Sequence, residues 1–150
     1  MKLVIQRVRR ARVMVDGVEV GAIGRGAVVL CGVARGDTAH DAAWLARKTS
    51  QLRIFDDAEG RMNEAIPDEG AFLVVSQFTL YGECIKGNRP SYIDAAPPEE
   101  GEAGYLEYVR ALRALGHRVE TGRFRAMMLV EIENDGPVTL IMESRGRASS

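Results

Sequence analysis

Histidine, cysteine and tryptophan are scarce in this 150-residue chain, which has two, two and one of them. The two cysteines, Cys31 and Cys84, lie far apart, so neither a disulfide framework nor a zinc pattern can be written. Cys31 falls inside an apolar run and is expected to behave as a small buried hydrophobe. His40 and His117 both read as exposed, and neither neighbours a candidate Ser or Cys in sequence. No GxSxG elbow is present, and sequence distance alone leaves a spatial triad open. The Gly21–Gly26 segment matches neither a Walker A loop nor GxGxxG, so a nucleotide site is not expected. No apolar run approaches the roughly 18 residues of a membrane span, and no signal-type segment opens the chain. Cytoplasm is the default expectation, with no membrane partner, no metal and no cofactor. Charge of one sign is not in excess either, since the formal net charge is -1.

Hydrophobic residues make up 46% and charged residues 27%, the balance of a globular chain whose length suits about one domain. Charge is uneven within it. Lys2, Arg7, Arg9, Arg10 and Arg12 occur with no acid among residues 1–12. Such a stretch reads either as a phosphate-binding patch or as a solvated strand face. There is no repeat, low-complexity tract or linker.

Periodicity supplies the elements. Residues 2–9 read as a strand, and 11–15 with 18–23 as a hairpin around Asp16-Gly17. Residues 27–33 are a continuous apolar run suited to a strand buried on both faces. A helix is expected after Thr38, capped with Asp41, with Ala42, Leu45, Ala46, Thr49 and Leu52 on one face. A short strand follows Leu52 to Phe55, and a longer one spans 71–80. A second helix opens at Pro97-Pro98 with Glu99 and Glu100 in its first turn, and stops at Gly116. Its apolar face is assigned to Ala103, Leu106, Val109, Leu112 and Leu115. Residues 127–133 alternate, with Met128, Val130 and Ile132 on one side, and 138–143 form the last strand. This order is α+β, not a βαβ series.

Two segments stand out. Ser76-Gln77-Phe78-Thr79 places polar groups at the end of an apolar strand, where they are either emerging at the surface or put to use. Asn134-Asp135-Gly136-Pro137 sits between two strands and reads as a hairpin turn or as a rigid element presenting carbonyls.

Ser-Gln-Phe-Thr-Leu at 76–80 and Asn-Asp-Gly-Pro-Val-Thr at 134–139 resemble the two signature motifs of the D-aminoacyl-tRNA deacylase family. Ile-Gln-Arg-Val at 5–8, Arg-Ile-Phe at 53–55, Glu-Gly-Arg-Met-Asn at 59–63, Lys-Gly-Asn-Arg-Pro-Ser at 86–91 and Thr-Gly-Arg-Phe at 121–124 follow in the same order. The resemblance covers residue 1 to about 144, with 145–150 a mobile tail. It implies a β-barrel-like core of mixed or antiparallel sheet with two helices packed outside, in a homodimer with active sites at the subunit interface. It also implies hydrolysis of the ester of D-aminoacyl-tRNA, and of glycyl-tRNA, while L-aminoacyl-tRNA is rejected.

The resemblance implies site roles as well. Ser76, Gln77, Phe78 and Thr79 form the catalytic floor. Gly136 and Pro137, joined by a cis bond, reach the partner's site and select chirality by exclusion. Met128 falls in the substrate pocket, and Lys86 and Arg89 are candidate tRNA contacts. The reaction it implies is RNA-assisted, with the terminal 2′-hydroxyl helping to activate water and the protein positioning the ester. Thr79 has no visible base to make it a nucleophile. Where the family pattern has small residues and then Asp-Met after Thr-Gly-Arg-Phe, this chain has Arg125-Ala126-Met127-Met128. The rim acid is thereby lost, and Arg125 becomes a candidate RNA contact. Two other functions fit the residues less well. One is a Thr79-dependent esterase or amidase acting on small D-amino-acid derivatives. The other is a non-catalytic RNA-binding module, which 6% aromatics and no evident paired platform disfavour.

Overall fold

Alternating apolar residues from Leu3 onward produce one long strand where two were expected: β1 runs unbroken over Lys2–Val15. The computed structural model describes residues 1–144, so the tail expectation for 145–150 lies outside the described residues. β1 turns at Asp16 and Gly17, whose φ values of 50° and 76° suit a type I′ hairpin, into β2 (Val18–Ile23). β3 (Gly26–Gly32) continues along the same edge of β1, with Gly26 opposite Val8 and Gly32 opposite Lys2. The burial phase of β1 slips partway along. Leu3 and Ile5 enter one core, while Val8, Ala11, Val13 and Val15 enter a second.

The helix α1 (Ala39–Gln51) starts where its cap places it. The Thr38 N–H and hydroxyl donate to Asp41 Oδ2 at 2.8 and 2.9 Å. Ala42, Leu45, Ala46 and Thr49 are buried as the spacing predicts. A small hairpin, β4 (Phe55–Asp56) with β5 (Met62–Glu64), leads to β6 (Ala71–Ser76). β6 pairs parallel with β3. The expected strand over 71–80 stops at Ser76; Phe78–Tyr81 is a 3-10 turn. The helix α2 (Pro98–Ala114) follows, then β7 (Arg118–Thr121), parallel to β6 and not foreseen from the sequence.

The buried face of α2 differs from the expected one. Tyr105, Tyr108, Val109 and Leu112 are buried, whereas Ala103, Leu106 and Leu115 are exposed. The tyrosines go inward because their hydroxyls find acceptors. Tyr105 donates to the Val74 carbonyl at 3.1 Å and Tyr108 to Thr49 Oγ1 at 2.9 Å.

The last element, β8 (Leu129–Glu143), corrects the hairpin reading of 134–137. Both of its halves pair antiparallel with β1, so the chain never reverses. Gln6 lies opposite Thr139 and Val8 opposite Asn134, which leaves residues 135–138 as an excursion from a single strand.

β3 and β6 are buried on both faces and divide the two cores. One core fills the space beneath α1 and α2, with Tyr108, Phe72, Leu45 and Leu112 at its centre. The other lies inside the curved sheet, among Val8, Val13, Val28 and Leu73. The sheet runs β2–β1–β3–β6–β7, with β8 on the other side of β1. Its ends nearly meet, because Gly21 of β2 has no side chain: a Cβ there would stand 2.3 Å from the Thr121 carbonyl of β7. The architecture is α+β, a mixed sheet nearly closed into a barrel with two helices outside, as expected.

Candidate active site

Beyond the C-terminal end of β6 the chain opens a cleft of about 710 Å³. Ser76, Gln77 and Phe78 form one wall, and Tyr92 to Pro98 lead past it into α2. Phe124 to Met128 form the other wall before β8 begins. Most of the lining is apolar, with a few polar groups from Ser76 and Gln77, the usual composition of a small-ligand site.

Of the expected catalytic and substrate residues four converge here, joined by Arg125, the candidate RNA contact, and the rest do not. Ser76, Gln77, Phe78 and Met128 line the cleft. Thr79 sits one residue further along the 3-10 turn, and its Oγ1 accepts a hydrogen bond from Gln77 Nε2. Met128 is held by its sulfur, which accepts from the Arg123 N–H at 3.4 Å. Lys86 and Arg89 are exposed in a loop closed by mutual backbone bonds between Glu83 and Ser91. Gly136 and Pro137 are not part of this chain's own cleft.

The Gly136-Pro137 peptide is cis, and the excursion that carries it is pinned from three directions. Asn134 Nδ2 donates to the carbonyls of Arg7 and Val138 at 3.0 and 3.1 Å. Arg7 is buried; its Nε donates to the Asp135 carbonyl at 3.2 Å and its guanidinium to the Ile54 carbonyl at 2.8 Å. Asp56 and the Asp135 carboxylate lie 3.4 and 3.5 Å from it. Gly136 has φ +121°, and a Cβ would fall 2.9 Å from Val138 Cγ2 and 3.0 Å from the Arg7 guanidinium. Sequence reasoning had counted Arg7 among the basic residues, not as the anchor of this loop. Its only signal was its place in Ile-Gln-Arg-Val.

The other cations of the first strand are matched by acids. Lys2 pairs with Glu143, Arg9 with Asp135, Arg10 with Glu133, and Arg12 with Glu131 and Glu19. Most of these acids come from β8. The basic stretch is therefore the paired side of a two-strand ladder, nearer to the solvated-face reading than to an open phosphate patch.

The aromatic expectation also changes. Phe78 and Tyr92 meet edge-to-face at 5.1 Å at the cleft wall, a pair hidden by 13 intervening positions. His117 is half-buried, not exposed. Its Nε2 lies 2.5 Å from Ser50 Oγ and its ring is edge-on to Phe72, while burial lowers its pKa. This Ser–His pair stands on the helix side, and neither residue lines the cleft. His40 is exposed on α1. Among the described residues, no group of three or more His, Cys, Asp or Glu converges to hold a metal. No described helix is long and apolar enough to cross a membrane.

A nearly closed mixed barrel, flanked by two helices and opening a largely apolar cleft at the end of β6, defines the class: the fold of the tRNA deacylases. A solved structure described as a probable eukaryotic D-amino acid tRNA deacylase shares that fold, with a TM-score of 0.78 at 19% identity over 95% of this chain and 98% of that one. The chain belongs to the D-Tyr-tRNA(Tyr) deacylase family, whose sequence profile matches residues 4–143. It is 56% identical to the D-aminoacyl-tRNA deacylase of Geobacter sulfurreducens, over 100% of this chain and 99% of that protein. It is 58% identical to the protein of the same name from Anaeromyxobacter dehalogenans, covering 97% and 98%. A solved structure described as c-Myc DNA Unwinding Element Binding Protein matches with a TM-score of 0.89 and 40% identity, over 95% of this chain and 98% of that one.

Proposed function

We propose that this protein is an editing hydrolase that cleaves the ester of D-aminoacyl-tRNA, and of glycyl-tRNA, and spares the L-aminoacyl ester. The observation that carries this reading is the joining of Ser76, Gln77, Phe78 and Met128 in one cleft, in a chain more than half identical to proteins named for that activity. Substrate tRNA is the partner, the whole chain acts as one domain, and the compartment is the cytoplasm.

The mechanism follows from what the cleft offers. Ser76, Gln77 and Phe78 hold the adenosine and ester end, and Met128 packs against it. Thr79 holds Gln77 in place by accepting its amide hydrogen bond. No base accompanies the Thr79 hydroxyl among the described residues, so water is the attacking group and the terminal 2′-hydroxyl of the RNA assists it. Chirality is read by Gly136 and Pro137 of a second copy. Their carbonyls bind the substrate's ammonium and leave no room for an L side chain. A homodimer supplies them, formed along the free edge of β8, where Leu129 and Ile141 are more than half exposed.

Incubation with matched D-, L- and glycyl-tRNA tests the reading by ester loss over time. D- and glycyl esters should disappear and L-esters persist. Equal loss of D and L, or no loss of any, would refute it. A small D-amino-acid ester hydrolysed as well as the tRNA would favour the Thr79-dependent esterase.

A further inference from the structure

Along β1 the cations stand beside carboxylates, whereas the lining of the cleft holds none. Its lining contains two charged residues, Arg35 and Arg125, and no carboxylate. A chain with more acids than bases thus presents a cleft whose charges are all positive. Arg35 is held at its base, its Nε donating to the Ile93 carbonyl at 2.9 Å. Arg125 is exposed at the opposite wall, between Phe124 and Ala126.

The backbone at Arg125 is unusual. Its φ is 64°, and Asp16, in the hairpin turn, is the only other described residue besides glycine with a positive value. An arginine gains nothing locally from that conformation, which glycine takes without penalty. A side chain kept there at a conformational cost, beside the substrate cleft and away from any acid of its lining, suits a ligand that carries its own negative charge.

We infer that Arg125 binds a backbone phosphate of the RNA 3′ end, next to the terminal adenosine, and so makes the site prefer polynucleotide esters over small ones. The inference rests on the proposed tRNA-ester reading and deepens it. A guanidinium there donates two hydrogen bonds to a phosphodiester, forming a charge-assisted pair that ammonium imitates only in charge. The ester then sits between that anchor and the Ser76–Phe78 wall.

The test uses the whole protein and the variants Arg125→Gly and Arg125→Lys. Glycine is chosen because it accepts φ 64° freely, so the variant keeps the loop conformation. Two probes are compared: tRNA carrying a D-amino acid through a non-hydrolysable amide, read by direct binding, and D-aminoacyl-adenosine ester lacking any phosphate, read by turnover. Arg125→Gly should weaken tRNA binding about tenfold at low salt. It should reduce the slope of log affinity against log salt by about 0.7, as expected for one phosphate contact on a single strand. Its effect on the adenosine ester should be several-fold smaller, with Arg125→Lys intermediate on tRNA. An unchanged salt slope, or equal losses on both probes, would overturn the inference. Failure of the wild type to hydrolyse D-aminoacyl-tRNA would instead refute the functional reading, while the binding arm would still decide whether Arg125 holds phosphate.

Discussion

Thr79 carries the hydroxyl most readily mistaken for a nucleophile. Its Oγ1 accepts from Gln77 and stands near no imidazole, since His117 is engaged with Ser50 and Phe72 on the helix side. Replacing Thr79 by Ala should therefore leave substantial hydrolysis of D-aminoacyl-tRNA, whereas a tRNA ending in 2′-deoxyadenosine should be cleaved far more slowly. Single-turnover assays of the two would decide, and loss of all activity in a folded Thr79→Ala protein would restore it as nucleophile. The cysteines offer a second check at this scale. Burial pushes the Cys31 thiol up to about 12, so it carries almost no thiolate at neutral pH, and Cys84 is exposed. Alkylation of the native protein followed by mass mapping should label Cys84 alone.

Among the elements, α2 and β8 set the terms. The inner face of α2 relies on tyrosine hydroxyls, and Tyr108 is fully buried with its hydroxyl on Thr49 Oγ1. Tyr108→Phe keeps the packing but leaves the Thr49 acceptor short of a donor, costing about 1–2 kcal/mol. For a chain of this size that corresponds to a fall in Tm of roughly 2–8 °C, measurable by calorimetry. In β8 the excursion at 135–138 depends on Gly136. A Cβ there would press on Val138 and on the guanidinium of Arg7, in a region of φ that L-residues avoid. Gly136→Ala should cost about 1–3 kcal/mol and displace the loop. Because that loop is proposed to serve the partner's cleft, D-aminoacyl-tRNA hydrolysis should fall more than tRNA binding does. A variant with normal turnover and an unshifted loop would separate Gly136 from catalysis.

At the scale of the whole molecule, β8 has a partner along one edge only among the described residues, and its exposed apolar residues ask for cover. Ile141→Glu, at a position 71% exposed, should convert a dimer to monomer in sedimentation and abolish hydrolysis with little change in the fold. A wild type that sediments as a monomer at assay concentration and is fully active would end the shared-site mechanism. Charge acts over the same range. Since the cations of β1 are paired, the salt dependence of tRNA binding should lie with Lys86, Arg89 and the cleft. Reversing Lys86 and Arg89 should flatten it, and reversing Arg9 or Arg10 should not.

The local features were legible in the residues themselves because their causes are local. The Asp16-Gly17 turn, the Thr38–Asp41 cap, the buried run of β3 and the stop at Gly116 each depend on neighbours a few positions away. The two motifs at 76–80 and 134–139 identified the family without any structure. Contacts made across the chain were not legible. The hairpin read into 134–137 is an excursion because both halves of β8 find the same partner, β1, more than 110 positions away. The apolar stripe of α2 was misplaced because Tyr105 and Tyr108 are buried by acceptors on β6 and α1, which periodicity cannot see. The basic stretch at the N-terminus lost its charge to acids near the C-terminus. Arg7 became the anchor of the Gly136 loop for the same reason: pairing of β1 with β8 is a property of the folded sheet, and only that pairing brings residues 2–14 beside residues 129–143.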